Sequence, residues 1–324
     1  MRSISLPSWI ERLLGLSTRP VPPHVFAVDE GRLSYARFER SGGGFQLTDW
    51  RSVALAAETF QEGLLGGPIR EPRVFTERLG ELLRTAAGTV KSASLVLPDA
   101  WLRIAFTEGG QLPKAGPARD EVLRWKLKRL VPYRVEELRI SASELETPAG
   151  ASEQRLMLAF ALEALLAQLE DAFAAHGVTL GQITSTGLAA LAAAARLPSK
   201  GLVGLTLVGE RDHTMLFAKD GEPVLFRFKS GVGGGRGDED LIRRDLRLTR
   251  SFLEEQFGGE DGFAEVCVLA PPSQEASWVS WLSEELVTPA QPLHGAHLVR
   301  LAGAEGRPLT ELVPMLGAAA LEVA

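Results

Sequence analysis

His294 and His297 stand three residues apart in a Gly- and Pro-bearing stretch, a spacing that can place two imidazoles on one metal ion. No third ligand lies near them in the sequence, so the pair reads as two surface histidines. The run GVGGGRG, residues 231–237, invites comparison with a dinucleotide loop. Arg236 falls where the third glycine belongs and no Lys-Ser or Lys-Thr follows, so it reads as a flexible crossing. Neither a G-x-S-x-G elbow nor an H-E-x-x-H helix is present. The single cysteine, Cys267, sits in an apolar run and excludes both an internal disulfide and a cysteine-based metal cluster. Two stretches hold more. RDEVLRWKLKRLVPYR, residues 119–134, sets Arg124, Lys126, Lys128, Arg129 and Arg134 among the aromatics Trp125 and Tyr133, which can anchor an interface. HVFAVDEGRLSYARF, residues 24–38, reads as two short strands, with Asp29 where the first ends and Gly31 in the turn.

The composition bounds the setting of these residues. A chain of 324 residues with 45% hydrophobic and 23% charged side chains is about two globular domains' worth. A formal charge of -6 argues against a surface that attracts nucleic acid or anionic lipid as a whole, leaving only local basic patches. One cysteine suits the cytosol. The start lacks the basic residues and unbroken apolar core of a secretory signal, and the uncharged stretch 177–195 is too rich in Gly, Thr, Ser and Gln to span a bilayer. In LPSWIERLLGL, residues 6–16, Leu6, Trp9, Ile10, Leu13 and Leu14 share one helical face. That face needs the protein's own core, another protein or a membrane surface.

The elements that must position these residues follow from periodicity. From His24 the pattern has period two through 24–29, 33–40 and 45–54, a three-stranded meander. A helix over 74–87 and a buried strand in SASLVLP follow. Residues 95–180 form a module with strands over 101–107, 138–145 and 155–161. Its basic helix covers 120–131, stops at Pro132 and buries Leu123, Leu127 and Leu130. A helix over 163–176 ends at Gly177. LVGLTLVGERDHTMLFAKDGEPVLFRF, residues 202–228, is a second meander, with Asp220-Gly221 as its strongest turn signal. Laid over the first by its turn glycine, Asp29-Glu30-Gly31 falls on Leu207-Val208-Gly209. Helices over 240–257 and 277–286, a strand over 265–270 and a closing apolar helix complete an alternating α/β pattern.

Three stretches carry a family resemblance. LKRLVPYRVEEL (127–138), FALEALLAQLEDAFAAHGVTLGQI (160–183) and PMLGAAAL (314–321) resemble segments of the type IV pilus assembly protein PilM family, related to the cytoplasmic domain of the type II secretion protein GspL. The resemblance implies an actin-like fold, two ribonuclease-H-like halves with an α+β module inserted in the first. The implied division is an amphipathic segment at 1–23, a first lobe at 24–200 and a second at 201–324, whose last helix packs back on the first. It also implies a place in the cytoplasm at the inner face of the bacterial inner membrane. The partner would be the N-terminal tail of a PilN-like single-span protein, bound beside the module, where Trp125, Leu130, Val131 and Tyr133 are the candidate contacts. Membrane association would be indirect or through residues 4–16, and nucleic acid is not an expected partner.

In ATP-binding members of that fold, an Asp near the metal and a Gly offering its N–H to phosphate sit in the first hairpin, followed by small hydroxyl residues. Asp29, Gly31 and Ser34 match. Arg32 and Leu33 replace the usual serines, and Glu30 adds charge that would oppose phosphate by about 1 to 4 kcal/mol if it pointed inward. In the second hairpin Gly209 remains, while Leu207 is aligned with the aspartate and cannot hold a metal ion. Where the adenosine-side glycines belong stand Pro271 and Pro272. These four matched positions therefore read as a remnant phosphate site. The expectation is a non-catalytic scaffold without cofactor, neither binding nor hydrolysing magnesium-ATP. The alternative is an active actin-like ATPase or small-molecule kinase with divergent loops.

Overall fold

The computed structural model describes residues 22–29, 31–56, 58–63, 65–86, 88–109, 112–113, 116–145, 155–231, 238–257 and 262–321. The amphipathic stretch 4–16, Glu30 and most of GVGGGRG lie outside them. Two compact units emerge, the first from 1–193, 301–305 and 314–324, the second from 194–300 and 306–313.

The first unit opens with β1 (His24–Val28), β2 (Arg32–Ser41) and β3 (Gly44–Ala54) as an antiparallel meander. Helix α1 (Pro72–Thr85) leads to β4 (Ser92–Leu97). The inserted module follows: β5 (Leu102–Glu108), α2 (Pro117–Lys128), β6 (Leu138–Glu144) and β7 (Arg155–Leu162). Its strands pair antiparallel in the order β5-β7-β6. The module is narrower than the 95–180 expectation because β4 and the strand after the module are main-sheet strands, β4 pairing parallel with β1. Chain then returns through α3 (Glu163–Ala174), β8 (Thr179–Ser185) and α4 (Thr186–Ala193). Helix α3 buries Leu165, Leu166, Leu169, Ala172 and Phe173, the 3.6-period face that the sequence displays. Gly177, at φ +71°, ends that turn in the left-handed region open to glycine. Phe173 meets Phe26 edge to face at 5.0 Å, and Tyr35 lies 5.1 Å from Phe26. Each such buried ring contributes roughly 1.5 to 3 kcal/mol.

The second unit repeats the plan with β9 (Leu202–Val208), β10 (Asp212–Lys219) and β11 (Glu222–Ser230), then α5 (Glu239–Phe257), β12 (Phe263–Leu269), α6 (Pro272–Glu285) and β13 (Ala290–Pro292). All seven residues of β9 are buried, as the centre of a covered sheet requires. Asp220 and Gly221 both take positive φ, 52° and 85°, making the two-residue turn their sequence signals. Helix α6 starts earlier than 277 because Pro272 is accepted in a helix's first turn, where its missing N–H costs nothing.

Two additions complete the first unit. Strand β14 (Leu301–Ala302) pairs parallel with β3, giving the order β14-β3-β2-β1-β4-β8. Helix α7 (Leu309–Ala320) joins that unit from Pro314 onward. There Gly317 lies against the α4 backbone so closely that a β-carbon would sit 1.7 Å from the Ala189 carbonyl oxygen. The second sheet has the order β11-β10-β9-β12-β13, the same sequence of roles as β3-β2-β1-β4-β8, with both last strands parallel. The duplication expected from the two meanders thus extends to whole sheets.

Candidate functional site

Backbone hydrogen bonds fix which residues of the two halves correspond. Val28 pairs with Leu33 across the first turn, and Val208 with His213 across the second. Asp29 N–H donates to Arg32 O at 3.0 Å, and Gly209 N–H donates to Asp212 O at 2.9 Å. Leu55 N–H donates to Gly31 O at 2.8 Å, as Gly231 N–H does to Arg211 O at 2.8 Å. Asp29 therefore matches Gly209, and Gly31 matches Arg211. The sequence alignment of Asp29 with Leu207 was two residues out of register; Leu207 is a buried strand residue opposite Thr214. Matching by turn glycine failed because strand register is set by the ladder, and the two turns keep different residues at the same bond.

The first hairpin's groups engage one another. Gly31 N–H donates to Asp29 Oδ1 at 2.9 Å, and Arg32 Nη2 lies 3.8 Å from Asp29 Oδ2. The carboxylate and the N–H, the two groups a magnesium-phosphate would use, are thus bonded to each other. Ser34 is buried in β2, and its counterpart Thr214 is buried in β10. In the second hairpin the carboxylate belongs to Asp212, the counterpart of Arg32, and it folds over the turn: a β-carbon on Gly209 would lie 2.1 Å from Asp212 Oδ1. Gln274 Nε2 reaches Gly209 O at 3.5 Å. Pro271 O accepts Gln274 N–H at 2.9 Å, as Pro98 O accepts Trp101 N–H at 2.9 Å after β4. The prolines therefore open equivalent turns in both halves.

On the module, α2 ends at Lys128 and the chain turns through Arg129 and Leu130 before Pro132. Leu130 accordingly leaves the buried stripe to which the sequence assigned it and is 45% exposed, while Leu123 and Leu127 remain inside. Trp125, 59% exposed, lies under the Arg129 guanidinium at 5.5 Å. Val131 and Tyr133 pack instead against the module core, Tyr133 with its ring 6.2 Å from that of Phe160. Of the four candidate contacts, Trp125 and Leu130 are exposed, and Val131 and Tyr133 are partly buried against the module core.

Three polar groupings escaped the sequence reading. Asp99 is buried and accepts the Gly187 N–H at 2.9 Å, capping α4. Glu265, Cys267 and His297 have ligand atoms within 4.8 Å of one another, so His297 does find the third group missing from its neighbourhood in sequence. His297 Nε2 lies 3.1 Å from Glu265 Oε1, which also accepts from Gln291 Nε2 at 2.8 Å, and Nδ1 accepts the His294 N–H at 3.2 Å. Both imidazole nitrogens are thereby committed to protein partners, and burial beside Glu265 pushes the Cys267 thiol up to about 12. The geometry is that of a satisfied hydrogen-bond network. The third grouping centres on Asp245 of α5. It binds Arg227 through a short charge-assisted hydrogen bond, with Lys229 Nζ at 3.6 Å and His213 Nε2 at 3.8 Å. Burial raises the Asp245 carboxyl, but His213, Arg227 and Lys229 outweigh it and hold it below its ordinary value. No spacing in the sequence joins β10, β11 and α5 at this point.

Comparison with known proteins bears on the fold. No family model matches the sequence, and no curated protein matches it. Among solved structures, it is similar to a chain of the PilM-PilN type IV pilus biogenesis complex at 17% identity and a TM-score of 0.73, over 94% of this chain and 98% of that one. It is also similar to a Bacteroides thetaiotaomicron protein of actin-like ATPase fold and unknown function, at 7% identity and a TM-score of 0.53, over 95% and 98% of the two chains. The fold is actin-like, and the three sequence stretches that resemble PilM lie in a backbone similar to that chain's over 94% of the present chain.

Proposed function

We propose that this chain is a non-catalytic, actin-like scaffold of a type IV pilus or related secretion machine, placed in the cytoplasm at the inner membrane. The inserted module would take the cytosolic N-terminal tail of a PilN-like single-span protein. The observation that carries this reading is the likeness, over 94% of the chain, to a protein held in a PilM-PilN complex. Among the described residues no helix is long and apolar enough to cross a membrane, so a membrane link would pass through such a partner or through residues 4–16. Trp125 and Leu130 offer exposed apolar anchors, Trp125 under the Arg129 guanidinium, on a segment that carries five cations, and an extended tail would add main-chain hydrogen bonds. Absence of catalysis is supported by the hairpins: Asp29 and Gly31 bond each other, and the second turn has Gly209 at the matching metal position.

The test is calorimetric. A peptide copying the cytosolic N-terminal tail of a PilN-like single-span protein is titrated into the full chain, and magnesium-ATP is titrated separately. The expected result is saturable peptide binding, weakened about 10-fold by Trp125→Ala, with no nucleotide heat and no turnover. Magnesium-ATP hydrolysis, or a tail that does not bind, overturns the reading.

A further inference from the structure

The Asp245 grouping floors a pocket of about 320 Å³ lined by His213, Arg227, Lys229, Leu241, Arg244 and Leu248. Its chemistry is two-sided. Arg227, Lys229 and Arg244 outnumber the one carboxylate, Asp245, which leaves a local positive excess in a chain of net charge -6. The rim is apolar: Leu241 is 54% exposed and Leu248 52%, and Phe252, 40% exposed, continues their line along α5. Positions 241, 248 and 252 are seven and four residues apart, so they stack on one helical face. Helix α5 already buries a separate face, Ile242, Leu246 and Leu253, in its own core. It therefore carries a second apolar stripe that its own unit does not cover.

We propose that this face of the second unit is a docking site for a partner protein segment that carries carboxylates beside apolar side chains. An acidic side chain of the segment would enter the pocket toward Arg244 and Lys229, and its apolar neighbours would lie on Leu241, Leu248 and Phe252. Charge complementarity selects the partner, since a basic segment would meet three cations at the pocket. Concavity selects a side chain over a bilayer, because a flat interface cannot fill a cavity whose floor is the buried His213. This site lies on a different unit from the module surface and stands whether or not the module binds a tail.

A phage-displayed random peptide library panned on the full chain tests it, with the Arg244→Glu/Leu248→Asp variant as the depletion target. Both substituted side chains are exposed, so the variant is expected to keep the wild-type circular dichroism and melting profile. Selected peptides should combine Asp or Glu with Leu, Ile or Phe, and should bind the variant about 10-fold more weakly in fluorescence anisotropy. Trp125→Ala should leave that binding unchanged, which separates this site from the module. Selection of no peptide that discriminates the variant, or of peptides without an acidic excess, overturns the proposal. So does phosphatidylglycerol vesicle binding, or self-association in sedimentation velocity, that the variant abolishes.

Discussion

Leu33 and His213 occupy the same place in two copies of one backbone. Each is the first paired residue after the hairpin, opposite Val28 in one half and Val208 in the other, and each is buried. Leu33 is a fully buried apolar side chain, whereas His213 faces Asp245 and, through it, Arg227 and Lys229. The ladder of hydrogen bonds survives the difference because it is made by main-chain groups that any residue supplies. Side chains facing the covering helix are free to change as long as they change together. In the second half that freedom produced a charged pocket on α5; the first half instead accepted a whole module between β4 and α3.

The largest expected effect breaks the comparison from the apolar side. Leu33→His replaces a fully buried apolar side chain with an imidazole, and is expected to cost about 3 kcal/mol in urea unfolding. Next comes Asp245→Asn, which removes the charge at the centre of the second cluster and should cost about 2 kcal/mol at neutral pH. Because the folded carboxyl lies below its ordinary 3.8, this contribution is full above about pH 4 and is lost as pH falls through the folded value. The gap between wild type and Asp245→Asn should accordingly close on acidification in matched urea titrations. The converse exchange, His213→Leu, should cost only about 1 kcal/mol, since Asp245 keeps Arg227 and Lys229 and a buried leucine is favourable. If His213→Leu proves as harmful as Leu33→His, the two halves are not interchangeable in the sense proposed. The smallest effect is Gly31→Arg, which gives the first hairpin the residue that the second already carries at Arg211. Gly31 does not need positive φ, and a β-carbon there would meet nothing closer than Asp29 Oδ1 at 3.8 Å, so the melting temperature should stay within the equivalent of about 0.5 kcal/mol.

Period and punctuation make the strands and most helices legible in the sequence. The alternation from His24 and the Asp220-Gly221 turn each report a local backbone state, and local states are what sequence encodes most directly. Register was not legible. A glycine two residues on gives Asp29 and Leu207 the same local signal, and only the ladder shows that Gly209 is the counterpart of Asp29. Leu130 was misplaced for a related reason: its spacing fits the stripe of α2, but the helix stops at Lys128 and the next residues follow a turn. The Asp245 grouping is tertiary in origin, built from three elements whose charges carry no mutual spacing. The exposure of Trp125 is legible because it stands off the Leu123–Leu127 stripe amid cations; its role as an anchor belongs to the proposal.

Strand β14 and the Pro314–Ala320 end of α7 complete the sheet and helix layer that His24 begins. On the ribosome, β3 and α4 emerge long before the residues that close upon them, and the whole five-stranded sheet of the second unit is synthesised in between. The nascent first unit must therefore wait with an open sheet edge and an uncovered helix, the kind of exposed surface on which chaperones act and premature association begins. The half made first is therefore finished last, when β14 and the end of α7 arrive.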